Sequence, residues 1–432
     1  MILLINKKSF IVSFFILSLL IFNLRFYSGN LELYDFGVFL SNLYSLVDNL
    51  SSFFYFDSFR ITVIPIAYLT SFFYDYSNIF LAFLNSLIFT IPFFYVKKHK
   101  KIILFYIFFS FPIWFQIIHG FNVDTLGYII FFYTLRAHYF NQNKLFYALV
   151  LILALTKEYY VFFSLMFLLL HFEKHKQFSK RKIIITIILL TIYLVWFYQF
   201  NFIEIYLDKI SFKINNIPST IFSLIVFYLL FVFFIKLKFQ LLIYFPIIIM
   251  VLLQDIGLNY RFLNSHYLLP LVGLTHSFII LEKNLLISGI NFKFIIILLM
   301  ILTPLPTSFF FWTKTYTHSY HFSNYIIDQD HYKYKKEITK NIPVNSILAI
   351  QNYSIDYFST KRKVIFTYPQ IFNKTLTLDI KEKFGINELY VLIDENKMIT
   401  KDESKFIDII KNHPQIVLKK SQYKIHLYQF TF

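Results

Sequence analysis

The sequence predicts a polytopic α-helical membrane protein that ends in a small α/β domain. Three observations carry this. Apolar runs of roughly 15–20 residues recur along 1–312, and about 20 residues are needed to cross a ~30 Å hydrocarbon core. Lysine clusters recur between those runs. After Trp312 the chain turns polar, with short β-branched segments.

The composition agrees: 57% of the 432 residues are apolar and 22% aromatic, at a mean hydropathy of +0.59. The runs are too continuous for the alternating pattern of a transmembrane barrel. The net charge of +17 would suit nucleic acid in a soluble protein. In this chain Lys and Arg read as topological anchors, so no nucleic-acid partner is expected. The chain has no Cys, which excludes disulfides and thiolate metal sites. It has no GxGxxG and no GxxxxGK[ST] loop to cradle a nucleotide.

In chain order the apolar runs fall at 9–27, 59–74, 77–96, 102–118, 126–140, 145–155, 158–172, 183–201, 219–236, 239–253, 265–281 and 291–311. The first follows Lys7 and Lys8 and lacks a small-residue cleavage site, so it reads as a retained signal-anchor helix. The cationic connectors are Lys7-Lys8, 97–101, Lys144, "EKHKQFSKRK" (173–182), Lys236/Lys238 and Lys283/Lys293. All face the cytoplasm if 59–74, with Arg60 and Pro65, is a re-entrant or outer-surface helix. That leaves about eleven spans, the N-terminus inside and the C-terminus outside. The runs 145–155 and 158–172 are short and read as a tilted pair meeting at "TKE" (156–158).

Residues 313–432 read as an outer α/β domain. Strands are expected at 346–350, 363–366, 389–393, 416–420 and 424–430, with a helix over 402–413. "STKRK" (359–363) reads as a solvated turn, and His318 with His321 as interfacial rather than metal-binding.

In this threading the unusual residues gather on the outer face. They lie in "ELYDFG" (32–37), "GFNVDTLG" (120–127), "LTKEYY" (155–160) and "QDIGLNYRFLNSHY" (254–267). Five of the eight glycines lie in or beside these segments: Gly29, Gly37, Gly120, Gly127 and Gly257. They imply tight turns or close backbone approach. Ionisable groups at membrane depth are functional candidates by default. Plainer readings stand beside them: Asp35 as a helix cap or first-turn acid, and Lys157-Glu158 as a local ion pair closing a hairpin.

"YDFGVF", Pro65 to Tyr68, "GFNVDTLGYIIFF", "LTKEYYVFFSLMFLL", "SHYLLPLVG" and "IPVNSILAIQNYSIDYFSTKRKVIFTYP" occur in this order over nearly the whole chain. In this it resembles the bacterial membrane-protein family of domain of unknown function 2079. That family looks like a branch of the GT-C glycosyltransferases, multi-span enzymes that take a sugar from a polyprenyl-phosphate lipid at the outer membrane face. The resemblance implies a GT-C-like bundle in the bacterial cytoplasmic membrane, with membrane lipids and a polyprenyl-phosphate-linked sugar as partners. It implies Asp35 as the acid of the first outer loop, serving as base or orienting the acceptor. Phe121-Asn122-Val123-Asp124 stands where the family carries a Phe-His-Pro-Glu-like stretch, so the acid is kept as Asp and the His is lost. A His often found before the Pro65 segment is also absent.

Sugar transfer needs a carboxylate to take a proton from a hydroxyl and cations near the departing phosphate. The candidates are Asp35 as base, Asp124 and Glu158 as supporting acids or ligands of a divalent metal, and Lys157, Arg261 and His266 as phosphate contacts. The alternatives are a lipid or polysaccharide transporter, or a non-catalytic membrane protein with an outer partner-binding domain. No internal repeat is seen, and the acids fall at span ends, which favours the enzyme.

Overall fold

The computed structural model describes residues 6–28, 61–73, 76–97, 101–157, 160–175, 184–192, 269–281, most of 296–312, 321–340, 342–343, 346–351, 365–367, 388–396 and 401–431. The described chain is mostly helical, with one small sheet near the C-terminus.

Helix α1 (Lys7–Tyr27) starts at Asn6, whose side chain accepts the Lys8 N–H. It runs antiparallel to α3 (Ser77–Tyr95), because the Lys7 ammonium donates to the Phe94 and Val96 carbonyls at 2.8 and 2.7 Å. Among the described residues, α1 and α3 are long and apolar enough to cross a membrane. Between them a 3-10 turn (Ile61–Val63) leads into α2 (Ile64–Phe72), a nine-residue helix too short to cross alone.

The run at 102–118, expected as one span, is a bent pair: α4 (Lys101–Phe108) and α5 (Phe111–His119) meet at 42°. Pro112 lacks an N–H and suits the first turn of a new helix, so the chain restarts after Ser110. Counted as one span, the pair adds a third crossing. Aromatic packing locks these helices: Phe14 meets Phe93, Trp114 and Phe108 at ring-centre distances of 4.8, 5.2 and 5.6 Å.

Gly120, at a φ of 90°, ends α5, and Asn122 caps α6 (Val123–Tyr139). The chain thus reverses within two residues. Helix α7 (Asn143–Ala154) returns, and α8 (Tyr160–His175) pairs with it, Ser164 donating to the Val150 carbonyl at 3.0 Å. Helix α9 (Leu269–Leu281) lies parallel to α6. A Cβ on Gly273 would collide with the Tyr128 carbonyl, and Ser277, one turn on, donates to the Phe132 carbonyl at 3.0 Å. A small residue every fourth position lets two helices touch backbone to backbone.

The lysine-bearing ends meet. The Arg136 guanidinium lies 4.5 Å from the Tyr95 ring centre, and Lys174 donates to the His138 carbonyl at 2.8 Å. The start of α1 and the ends of α3, α6 and α8 therefore lie at one cationic end. The opposite end receives the C-terminal residues. Arg25, fully buried in the last turn of α1, sits 5.6 Å from the Tyr325 ring, and Tyr27 meets Tyr332 edge-on at 5.7 Å. The short helix α10 (Phe309–Trp312) precedes them, and Tyr332 belongs to α11 (Gln329–Lys340).

The sheet has the order β2-β1-β3-β5-β4, with β1 (Ile347–Ile350), β2 (Ile365–Thr367), β3 (Glu388–Asp394), β4 (Ile416–Gln422) and β5 (Ile425–Thr431). Strand β1 is parallel to both β2 and β3, whereas β5 is antiparallel to β3 and β4. Each strand matches an expected segment within a few residues. Tyr423 and Lys424, at φ of 51° and 59°, make the tight turn of the β4-β5 hairpin. One sheet face, with Leu348, Ile350, Leu392 and Leu427, joins the core of the bundle through Tyr334 and Ile338 of α11. The other, with Ala349, Val391 and Phe430, is covered by Ile407 and Ile410 of α12 (Lys401–Asn412).

Candidate functional site

The reversal at Gly120 builds a polar nest inside the apolar bundle. Asn122 accepts the Asp124 and Thr125 N–H groups at 2.9 and 3.2 Å, satisfying two donors that a helix start leaves without partners. Its amide donates to Gln116 Oε1 at 3.3 Å, and Gln116 donates to the Gly120 carbonyl. The Thr125 hydroxyl donates to Asn85 Oδ1 at 3.1 Å. Asn85 lies eight residues into α3, roughly 12 Å along that helix. The nest is therefore held at depth by side chains that bind one another.

This frame fixes Asp124 in the first turn of α6, where the helix dipole favours an anion. Lys157 follows the end of α7, where the dipole favours a cation. The two form an ion pair of 2.7 Å with side chains 1% and 6% exposed. The Tyr160 hydroxyl donates to the other Asp124 oxygen. Gly127, one turn after Asp124, makes room for Tyr160, because a Cβ there would strike the Tyr160 ring. Two loops far apart in sequence thus converge on one carboxylate. With both oxygens engaged, Asp124 acts as an anchor that fixes Lys157 and Tyr160 in place.

Of the residues singled out in the sequence, Asp124 and Lys157 are brought together. Asp35, Glu158, Arg261 and His266 lie outside the described residues. Lys157 has a partner in α6, at Asp124; the other expected partner, Glu158, lies outside the described residues. Tyr160 stood in the quoted "LTKEYY" without a role; its signal was its place one helical turn after a buried Lys. Gln116 and Asn85 were missed as single polar residues in apolar runs.

Two histidine contacts were also missed. His276 of α9 pairs with the Tyr128 hydroxyl at 2.9 Å, and Tyr106 meets it edge-on. His138 and His171 bring their Nδ1 atoms within 3.1 Å near the cationic end, with Phe146 stacked on His171. Each was legible as an ionisable residue inside an apolar run. His321 caps a 3-10 turn (Phe322–Tyr325) by accepting the Ser323 N–H, a structural role; His318 lies outside the described residues. Among the described residues, no group of three or more His, Asp or Glu side chains is placed to hold a metal ion. A scan against protein-family models finds no match, and a search of curated proteins finds no relative.

Proposed function

We propose that this chain is a GT-C-like membrane glycosyltransferase, moving a sugar from a polyprenyl-phosphate lipid to an acceptor at the outer face of a bacterial cytoplasmic membrane. One observation supports it above the others. The buried Asp124, Lys157 and Tyr160 gather where α6 begins and α7 ends, on the side of the bundle away from the lysine-bearing ends. In this reading about eleven spans cross, the cationic end faces the cytoplasm, and the C-terminal domain lies outside. Asp35 takes the acceptor proton. Asp124 positions Lys157, whose charge serves the departing phosphate together with Arg261 and His266. Glu158 is a further acid of the same loop. The sugar chemistry comes from the family resemblance, and the buried polar nest supports the reading by gathering an acid, a cation and a hydroxyl at one end of the bundle.

A transporter reading has one observation in its favour: a buried ion pair between helices is also how a coupling site is built. The two separate in one experiment. Purified protein in liposomes receives a radiolabelled polyprenyl-phosphate sugar and a detergent-solubilised envelope extract as acceptor source. Label appearing in water-soluble or polymer product supports the transferase. Label that crosses the bilayer with the lipid link intact supports the transporter.

A further inference from the structure

The C-terminal domain carries a second polar cluster at the carboxyl ends of its parallel strands. The chain passes from β1 to β2 on one side, then back across β1 to β3 on the other. From their carboxyl ends β1 leads to β2 on one side and β3 leads through α12 to β4 on the other, so the crevice of a switch point falls between β1 and β3. Open α/β sheets bind ligands at such switch points. Gln351 follows β1 directly, and Asp394 is the last residue of β3; both are fully buried. The Asp394 N–H donates to Gln351 Oε1 at 2.6 Å, which fixes the amide's orientation. Among the described residues, Gln351 Nε2 then has no hydrogen-bond partner.

Three further elements reach this crevice. His331 of α11 lies 3.0 Å from Asp394 Oδ2 through Nε2. The same Nε2 lies 3.3 Å from Asn396 Nδ2. Asn396 donates to Asp394 Oδ1 at 3.1 Å and to the Tyr423 carbonyl at 2.7 Å. Tyr423, at the hairpin turn, is 54% exposed, and its ring lies 5.6 Å from that of Tyr334. Tyr334 is one turn from His331 on α11 and is 3% exposed, and its hydroxyl is a second buried polar atom without a hydrogen-bond partner among the described residues. A buried donor left without a partner is costly, and two beside one crevice point to a ligand.

The chemistry selects the ligand class. The crevice offers polar groups on Gln351, Tyr334 and His331, and aromatic faces at Tyr334 and Tyr423. Its central charge, Asp394, disfavours an anion. Hydroxyls both donate and accept, and sugar rings present flat C–H faces to aromatics. We propose that this crevice is a carbohydrate-binding subsite for the acceptor. Its role as acceptor subsite rests on the transferase reading; the binding itself does not. The helix bearing His331 also bears Tyr332, which touches Tyr27 at the end of α1, so the subsite stands beside the bundle.

The test uses the full chain in a detergent without a sugar headgroup. Saturation-transfer NMR is run with glucose, galactose and N-acetylglucosamine as probes. Binding of at least one sugar is expected, weakened about tenfold or more by Gln351→Leu and by Tyr423→Ala. Asp124→Asn should leave it unchanged, so loss of transfer and loss of this subsite are distinguishable. Tyr423→Ala decides the matter if Gln351→Leu does not fold, because Tyr423 is exposed. Absence of binding by all three sugars, or unweakened binding in Tyr423→Ala, overturns the proposal. So does thermal stabilisation by Mn²⁺ in place of any sugar.

Discussion

The Lys157 ammonium lies 2.7 Å from Asp124 Oδ2, though 33 residues separate them: Asp124 opens α6 and Lys157 follows the end of α7. Removing one partner of a buried pair strands the other charge, at a cost of about 3–5 kcal/mol. Lys157→Met and Asp124→Leu should each lower the unfolding midpoint in detergent strongly. The double variant should recover much of that loss, because no charge is left alone. Additive losses in the double variant would show that the two groups are not coupled.

Gly273 packs against the Tyr128 backbone, which cannot move aside as a side chain can. Gly273→Ala should push α9 from α6, disturb the Ser277 bond to the Phe132 carbonyl, and cost roughly 1–3 kcal/mol. Thermal unfolding of this variant against Gly289→Ala, a glycine outside the described residues, checks the prediction. Equal stability of the two proteins would mean that the helices do not meet this closely.

The C-terminal domain has a pH dependence with a definite sign. The hydrogen bond from Lys411, at 2.6 Å, holds the Glu395 carboxyl below its ordinary 4.5, burial pulls it the other way, and the Lys411 and His426 charges add to the lowering. A carboxyl lowered on folding stabilises the fold in full above its unfolded value. That stability is lost as pH falls through the lower folded value. Both side chains are more than a third exposed or close to it, at 38% and 34%, so screening keeps the effect to about 0.2–1 kcal/mol. Lys411→Met should flatten this part of the acid limb of a stability–pH curve while leaving stability near neutral pH slightly reduced. An unchanged acid limb would count against the pair.

Much of this architecture is legible in the sequence because its signals are local. The strands of the C-terminal sheet are short β-branched runs, and the buried β3 reads as a continuous apolar segment, "LYVLI". The break between α4 and α5 was signalled by Pro112 but outweighed by the apolar run around it. Gly120 and Gly127 stand out in the sequence because a positive φ and a close approach leave a residue-type signature. Partner identity carries no such signature. Nothing local to Lys157 says that an anion from α6 lies against it. The crevice of Gln351, Asp394 and His331 depends on strand order, which no single segment encodes.

Asp35 carries the sharpest remaining test, and it lies outside the described residues. The sequence places it eight residues after Tyr27, the last residue of α1, among Phe36, Val38 and Phe39, with Gly37 able to turn the chain. Those apolar neighbours suit a membrane interface, while a carboxylate needs a polar cleft. Asp35→Asn keeps the size and hydrogen-bonding capacity of the side chain and removes its ability to take a proton. If Asp35 is the base, turnover should fall about 10²–10⁴-fold with binding of the lipid donor intact. If it only caps a helix, Asn is as good a cap, and neither stability nor activity should change much. Transfer measured beside donor binding, in protein that unfolds at the same temperature as the parent, separates the two. Near-normal transfer would remove Asp35 as the base and turn attention to Glu158, since Asp124 already has both oxygens committed to Lys157 and Tyr160.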